Sequence, residues 1–250
     1  YLSQSRGAWV AIAAASVFIV AFSIRNRRVL LVAGVIGVIA LGVFVIAFHR
    51  PIAAFIFGEH TSTSGISTVT KRIYLWESAL RMIRDHPWFG VGMENWLCYY
   101  SSNSICSIPA LVNHHYWILQ DPVTKASTGL VDERTLSHPH NIFLHVWVSM
   151  GIFGLLAFIA ILVLFFWHFI RILKHLRSAE FKDSPHLQWM TIGVGAAMLA
   201  ALVQGLVDSS FLEQDLAFCF WMLVAALLLL RYLSRTLWRG RLRQKSTELI

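Results

Sequence analysis

Ser137-His138-Pro139-His140-Asn141-Ile142-Phe143-Leu144-His145-Val146-Trp147-Val148-Ser149-Met150-Gly151-Ile152-Phe153-Gly154 joins a polar, histidine-bearing turn to an apolar run that continues to Ile172. About 20 apolar residues suffice to cross the ~30 Å hydrocarbon core of a bilayer, so the run reads as a membrane-spanning helix. The turn then stands at a membrane surface and carries a side chain able to transfer protons.

Working outward, the same kind of run recurs. The chain is 57% hydrophobic and 14% charged, with a mean hydropathy of +0.62. Five candidate spans are read at 8–24, 29–48, 143–172, 187–207 and 216–230. All are expected to be helices, because lipid offers no partner for unpaired backbone groups. The fold class is therefore all-α: a polytopic integral membrane protein with a large extracytoplasmic segment at 49–139. Arg25, Arg27 and Arg28 separate the first two spans; Arg171, Lys174, Arg177 and Lys182 separate the third and fourth; Arg231 to Lys245 follow the fifth. Those segments face the cytoplasm by the positive-inside rule. Segment 49–139 holds seven basic and seven acidic residues, and the link from Asp208 to Asp215 is acidic, so both lie on the opposite side. The net charge of +8 thus records topology and implies no nucleic-acid partner. Opening at Tyr1 without a basic leader, the sequence reads as the C-terminal portion of a longer chain. Without repeats or Pro/Gly-rich linkers, 1–250 is expected to form one membrane domain around one site.

Within the outward segment, a helix is read over Lys71–Arg84, followed by a loop rich in aromatics and histidines. Glu77 and Arg81 are spaced as an i,i+4 pair. Arg72 precedes Trp76, Ala79 and Ile83 by four, seven and eleven residues, which puts it on the apolar stripe, where an arginine needs an anionic partner. Snorkelling to headgroups is the alternative. Arg6, before the first span, reads equally as an interfacial anchor. Gly90 and Gly92 are expected to form the turn ending the Arg72 helix, and Gly151 and Gly154 to serve close helix packing. Cys98 and Cys106 fall in the outward segment, where a disulfide and two separate thiols are both open readings. Trp96, Tyr99, Tyr100, Tyr116 and Trp117 are candidates for stacking on sugars or for an interfacial aromatic belt.

Pro139 lacks the N–H that would go unpaired in a first helical turn, which predicts a helix starting near His138 with His140 in that turn. From there to Ile172 one helix would run to roughly 50 Å, so its first turns protrude from the bilayer and hold His140 rigidly outside it. A helix N-terminus suits a proton acceptor there, and its free N–H groups suit phosphate oxygens. A capping or loop-bonding histidine is the plain alternative. A metal reading of His138, His140 and His145 finds no Asp, Glu or Cys within four residues to complete a ligand set. The spans are almost free of ionisable groups, with Gln204 the most polar, which argues against an ion-coupled transporter.

Three elements occurring in order carry a resemblance. Ser3-Gln4-Ser5-Arg6-Gly7-Ala8, then Arg72-x3-Trp76 followed by Asp85-His86-Pro87-Trp88-Phe89-Gly90-Val91-Gly92, then His140-Asn141-x9-Gly151-x2-Gly154 resemble the O-antigen ligase and polymerase superfamily. The resemblance implies a GT-C-like helical bundle that takes a glycan from a polyprenyl diphosphate carrier and joins it, with inversion, to a glycan, lipid or cell-wall acceptor. The reaction would take place on the outer face of a bacterial inner membrane, with no cofactor and no metal. It implies that Arg6 and Arg72 hold the donor diphosphate and that His140 is the base, with Asn141 and Asp208 as supporting residues. Ligases, polymerases and protein-glycosylating relatives share these residues, so the acceptor stays open. A non-catalytic glycolipid transporter or flippase component is the reading from a different class.

Overall fold

A computed structural model of the chain describes residues 6–24, 68–101, 116–118, 138–178, 184–207 and 214–248, with isolated positions between 26 and 37 and at 120, 123 and 125. The described elements are helices: α1 (Arg6–Ser23), α2 (Thr68–Asp85), α3 (Trp96–Ser101), α4 (Ile142–Leu176), α5 (Pro185–Gly205) and α6 (Gln214–Glu248). Three of them hold stretches long and apolar enough to cross a membrane, at Ile142–Leu176, Pro185–Gly205 and Ala217–Gly240. α1 has 18 residues and runs ~27 Å, just under the hydrocarbon thickness. The span read at 29–48 lies mostly outside the described residues.

The chain divides into two compact units. One comprises Tyr1–Ser23, Ala157–Gly205 and Ser210–Ile250. Here α1 packs along α5, and α5 along α6. A Cβ on Gly195 would come within 2.6 Å of the Phe169 ring and 3.1 Å of the Phe18 ring. The bare backbone therefore admits a cluster in which Phe169 meets Phe18 at 5.3 Å and Phe22 at 5.0 Å. Lipid tails are as apolar as these side chains, so such contacts hold by van der Waals fit. Val17 is 69% and Val163 62% exposed, an outward apolar surface suited to a bilayer. Polar ends are tied off locally: Gln188 Nε2 donates to the Leu176 carbonyl at 2.7 Å, and the Arg177 guanidinium donates to the Phe22 carbonyl.

The other unit comprises Ile24–Leu156 and Leu206–Ser209. Its core is Leu75, Ala79, Met82 and Ile83 of α2 against Val91, Trp96, Tyr100 and Val148. Trp96 and Tyr100 stack at 5.3 Å and are 1% and 0% exposed. They are core residues, which corrects the reading of this pair as sugar platforms or belt residues. The Arg81–Glu77 pair forms at 2.6 Å on a half-exposed surface, where such pairs contribute little.

The structure breaks the single long helix expected from His140 to Ile172. α4 is interrupted at Gly151, with φ 69° and ψ −170°, a conformation open in practice only to glycine. A break leaves carbonyls unpaired on one side and N–H groups on the other. The segment after α2 supplies their partners. Val91 N–H donates to the Val148 carbonyl at 2.7 Å and Gly92 N–H to that of Ser149 at 3.1 Å, while Ile152 N–H donates to the Pro87 carbonyl at 2.9 Å. The Trp147 indole N–H reaches the same Pro87 oxygen at 3.4 Å. Gly90, with φ 68°, lies under Val148 and Gly151, where a Cβ would stand 2.3 Å from the Val148 carbonyl oxygen. Gly90 therefore closes the turn after α2, where its N–H donates to the His86 carbonyl at 3.1 Å, and at the same place it admits a backbone crossing. Gly151 likewise forms that crossing and does not serve side-chain packing between helices.

Candidate functional site

The start of α4 differs from the expectation in a way that bears on chemistry. The helix begins at Ile142, not near His138, and its cap is Asn141. Asn141 Oδ1 accepts from Phe143 N–H at 3.0 Å and Leu144 N–H at 3.1 Å, the two donors an N-cap satisfies. Its Nδ2 donates to the Leu206 carbonyl at 3.0 Å. The first-turn amides expected to hold phosphate oxygens are thus largely taken, and any phosphate must be met by cationic side chains.

His140 lies one residue before the cap with φ 52°, a left-handed conformation that costs a non-glycine residue on the order of 1 kcal/mol or more. Its neighbours fix it: Pro139 restricts one side, and Asn141 is bonded at both ends of its amide. The His140 ring packs edge-to-face on His138 at 4.5 Å, and His138 stands 6.0 Å from His145. His138 is buried, while His140 and His145 are partly exposed. Among the described residues no group of three His, Cys, Asp or Glu side chains is placed to hold a metal.

Arg72 is half-buried on α2. The face of α2 that meets the core is centred on Lys71, Leu75, Ser78, Ala79 and Met82, with Lys71 only 5% exposed. Arg72 therefore flanks the buried stripe, and the cation within it is Lys71, which the sequence reading passed over. The signal was present in the spacing of Lys71, Leu75 and Ala79. Because the core joins α2 to the first turns of α4, the helix bearing Lys71 and Arg72 and the turn bearing His140 belong to one packed body. Arg6 opens α1 in the other unit, and its side chain, like Asp208, lies outside the described residues.

Asp85, also passed over as a site residue, ends α2 with its Oδ2 accepting from the Tyr116 hydroxyl at 2.7 Å and its Oδ1 from Arg84 Nε at 3.3 Å. The Tyr116 bond holds the carboxyl below its usual range. Tyr116 is pushed up to about 12 by burial and by the carboxylate it donates to. A lowered carboxylate stabilises the fold at pH values above its unfolded pKa of 3.8 and loses that contribution as pH falls through the lower folded value. Tyr116→Phe is expected to move the onset of acid unfolding to higher pH, because Asp85 then titrates closer to its unfolded range. It also removes the alkaline limb, in which stability falls as pH rises through about 12. A melting series from pH 2 to pH 6 checks the acid limb. Cys98 of α3 is disulfide-bonded and Cys219 is a free, exposed thiol; Cys106 lies outside the described residues.

Membrane-length helices, together with a loop that repairs a break in one of them, define a polytopic helical membrane protein with a fixed polar turn at the head of one span. The sequence model of the O-antigen ligase family matches residues 1–159, taking in α1 to α3, the histidine turn and the Gly151 crossing. The chain belongs to that family. Among proteins of curated function, none matches it.

Proposed function

We propose that this chain moves a glycan from a polyprenyl diphosphate carrier to an acceptor hydroxyl on the extracytoplasmic face of a bacterial inner membrane, without a metal. The acceptor oxygen attacks the sugar C1, the C1–O bond to diphosphate breaks, and the acceptor proton passes to His140. One direct displacement inverts the anomeric centre. Arg72 and Arg6 meet the charge that develops on the departing diphosphate, and Asn141 positions the histidine, with Asp208 as a further support. Fixed donors aimed at developing charge are usually the largest catalytic contribution.

The observation that carries this reading is His140: a partly exposed imidazole on a strained backbone, gripped by a cap satisfied at both ends, within the matched family segment. Strain of this kind persists where the surroundings over-determine it, and it clusters at functional sites. Support for the carrier comes from a groove of about 540 Å³ lined by Ala8, Ala11, Ala197, Ala200 and Ala201. It begins two residues after Arg6 in the sequence and suits an isoprenoid chain.

Arg72→Lys provides a direct check. Guanidinium grips phosphate with a planar fork and lysine with a point charge, so transfer is expected to fall roughly tenfold to a hundredfold, as when one transition-state donor of about 1.4–2.7 kcal/mol is lost. Unchanged turnover would remove Arg72 from the diphosphate site. The function as a whole is tested with the purified parent protein, a polyprenyl diphosphate-linked glycan and candidate acceptors, with EDTA present. Carrier release coupled to acceptor glycosylation supports the reading, and the acceptor consumed separates ligase from polymerase. Tight donor binding with no turnover on any acceptor would favour a transport component.

A further inference from the structure

Beyond the family-matched segment, α4 and α6 flank an open cleft of about 270 Å³ whose charged lining is entirely cationic or imidazole: His168, Arg171 and His175 from α4, Arg231 and Arg235 from α6. The Arg231 guanidinium lies 3.0 Å from His168 Nε2, and the His175 ring meets Trp238 at 6.1 Å. Both contacts join residues 63 positions apart, so the two helices run in parallel and face their basic stripes toward each other. Arg171 is held over the Trp167 ring at 3.9 Å. No carboxylate lines the cleft, and no described carboxylate pairs with Arg171, Arg231 or Arg235. Three guanidiniums converging across a helix pair repel one another unless an anion joins them.

We propose that this cleft binds a phosphate-ester anion, the headgroup of an anionic phospholipid in the leaflet that faces the cytoplasm. Basic pockets between spans at that surface have this use in general, and arginine forks match phosphate oxygens. The charge distribution of the sequence puts this end of α4 and α6 on the cytoplasmic side. Three partly exposed indoles favour a lipid over a free ion: Trp167 at 44%, Trp238 at 37% and Trp189, near the start of α5, at 56%. Indoles collect at the headgroup level. The inference rests on the cleft alone and is independent of the proposed glycan transfer.

The test uses the full-length protein in a zwitterionic detergent, titrated with short-chain phosphatidylglycerol, short-chain phosphatidylcholine and inorganic phosphate, and followed by tryptophan fluorescence and thermal melting. Phosphatidylglycerol is expected to bind and raise the melting temperature, phosphatidylcholine to do neither, and inorganic phosphate to bind weakly. Arg231→Gln/Arg235→Gln is expected to weaken phosphatidylglycerol binding by roughly tenfold to thirtyfold, and Arg239→Gln, on α6 outside the cleft, to leave it unchanged. Arg235→Gln alone removes an exposed side chain and gives a smaller loss in the same direction, which keeps the test valid should the double variant fail to fold. Inorganic phosphate binding as tightly as the lipid and displacing it would retain the anion site and assign it to a free phosphate. Equal phosphatidylglycerol binding by wild type and cleft variants, or no preference for anionic probes, would overturn the proposal.

Discussion

His140→Ala is expected to abolish glycan transfer by the intact protein while its expression and membrane insertion stay normal. Base catalysis of the acceptor hydroxyl is worth about a hundredfold to ten-thousandfold, enough to bring turnover to background. A structural histidine would give a different pattern, and the backbone at this position allows the two to be separated. His140 has φ 52°, which glycine adopts without penalty and asparagine tolerates better than most residues. His140→Gly should therefore melt at or above the wild-type temperature, and His140→Asn close to it, with both as inactive as the alanine variant. Stability retained or gained while activity is lost is the signature of strain kept for function. Substantial transfer by any of the three variants would remove the imidazole from the reaction.

The sequence carried the helices well because apolar run length is a direct consequence of bilayer thickness. α4 and α5 fall close to where the runs at 143–172 and 187–207 put them, and Glu77–Arg81 formed from its i,i+4 spacing alone. What it did not carry were features decided at long range or by competing local signals. Pro139 and Asn141 are both helix-start residues. Asn141 prevailed because the other half of its amide finds the Leu206 carbonyl, a partner 65 residues away that no local pattern announces. Lys71 and Arg72 are neighbours on a helix whose apolar stripe admits either in the core, and packing against Val91, Trp96 and Val148 selected the lysine. Gly151 is the clearest case. A glycine within an apolar run has the same hydropathic pattern whether it packs a neighbour or breaks the helix. Only the segment around Gly90, some 60 residues upstream, reveals which.

Gly151→Ala should accordingly be among the most damaging single substitutions in the chain. The added Cβ would stand 2.0 Å from the Trp88 carbonyl oxygen and 2.5 Å from Phe89 N, both backbone atoms that cannot rotate away. The φ of 69° would also be forced on a residue with a side chain. If the crossing opens, the Val91, Gly92 and Ile152 hydrogen bonds are lost together. The strained backbone and the unpaired buried groups together cost at least about 4 kcal/mol, a large part of the stability of an ordinary domain. The expected result is little monodisperse protein after extraction, or a melting temperature far below wild type. Gly193→Ala on α5, where an added Cβ meets nothing within 4 Å, is expected to be neutral or slightly stabilising, since alanine is the better helix former. Gly90→Ala should resemble Gly151→Ala, and the double variant should be much less than additive because both open the same crossing. A Gly151→Ala protein that melts like wild type would mean that α4 can run straight through this position. The loop carrying Gly90 would then have no part in holding the first turns of α4 and the histidine turn before them in place.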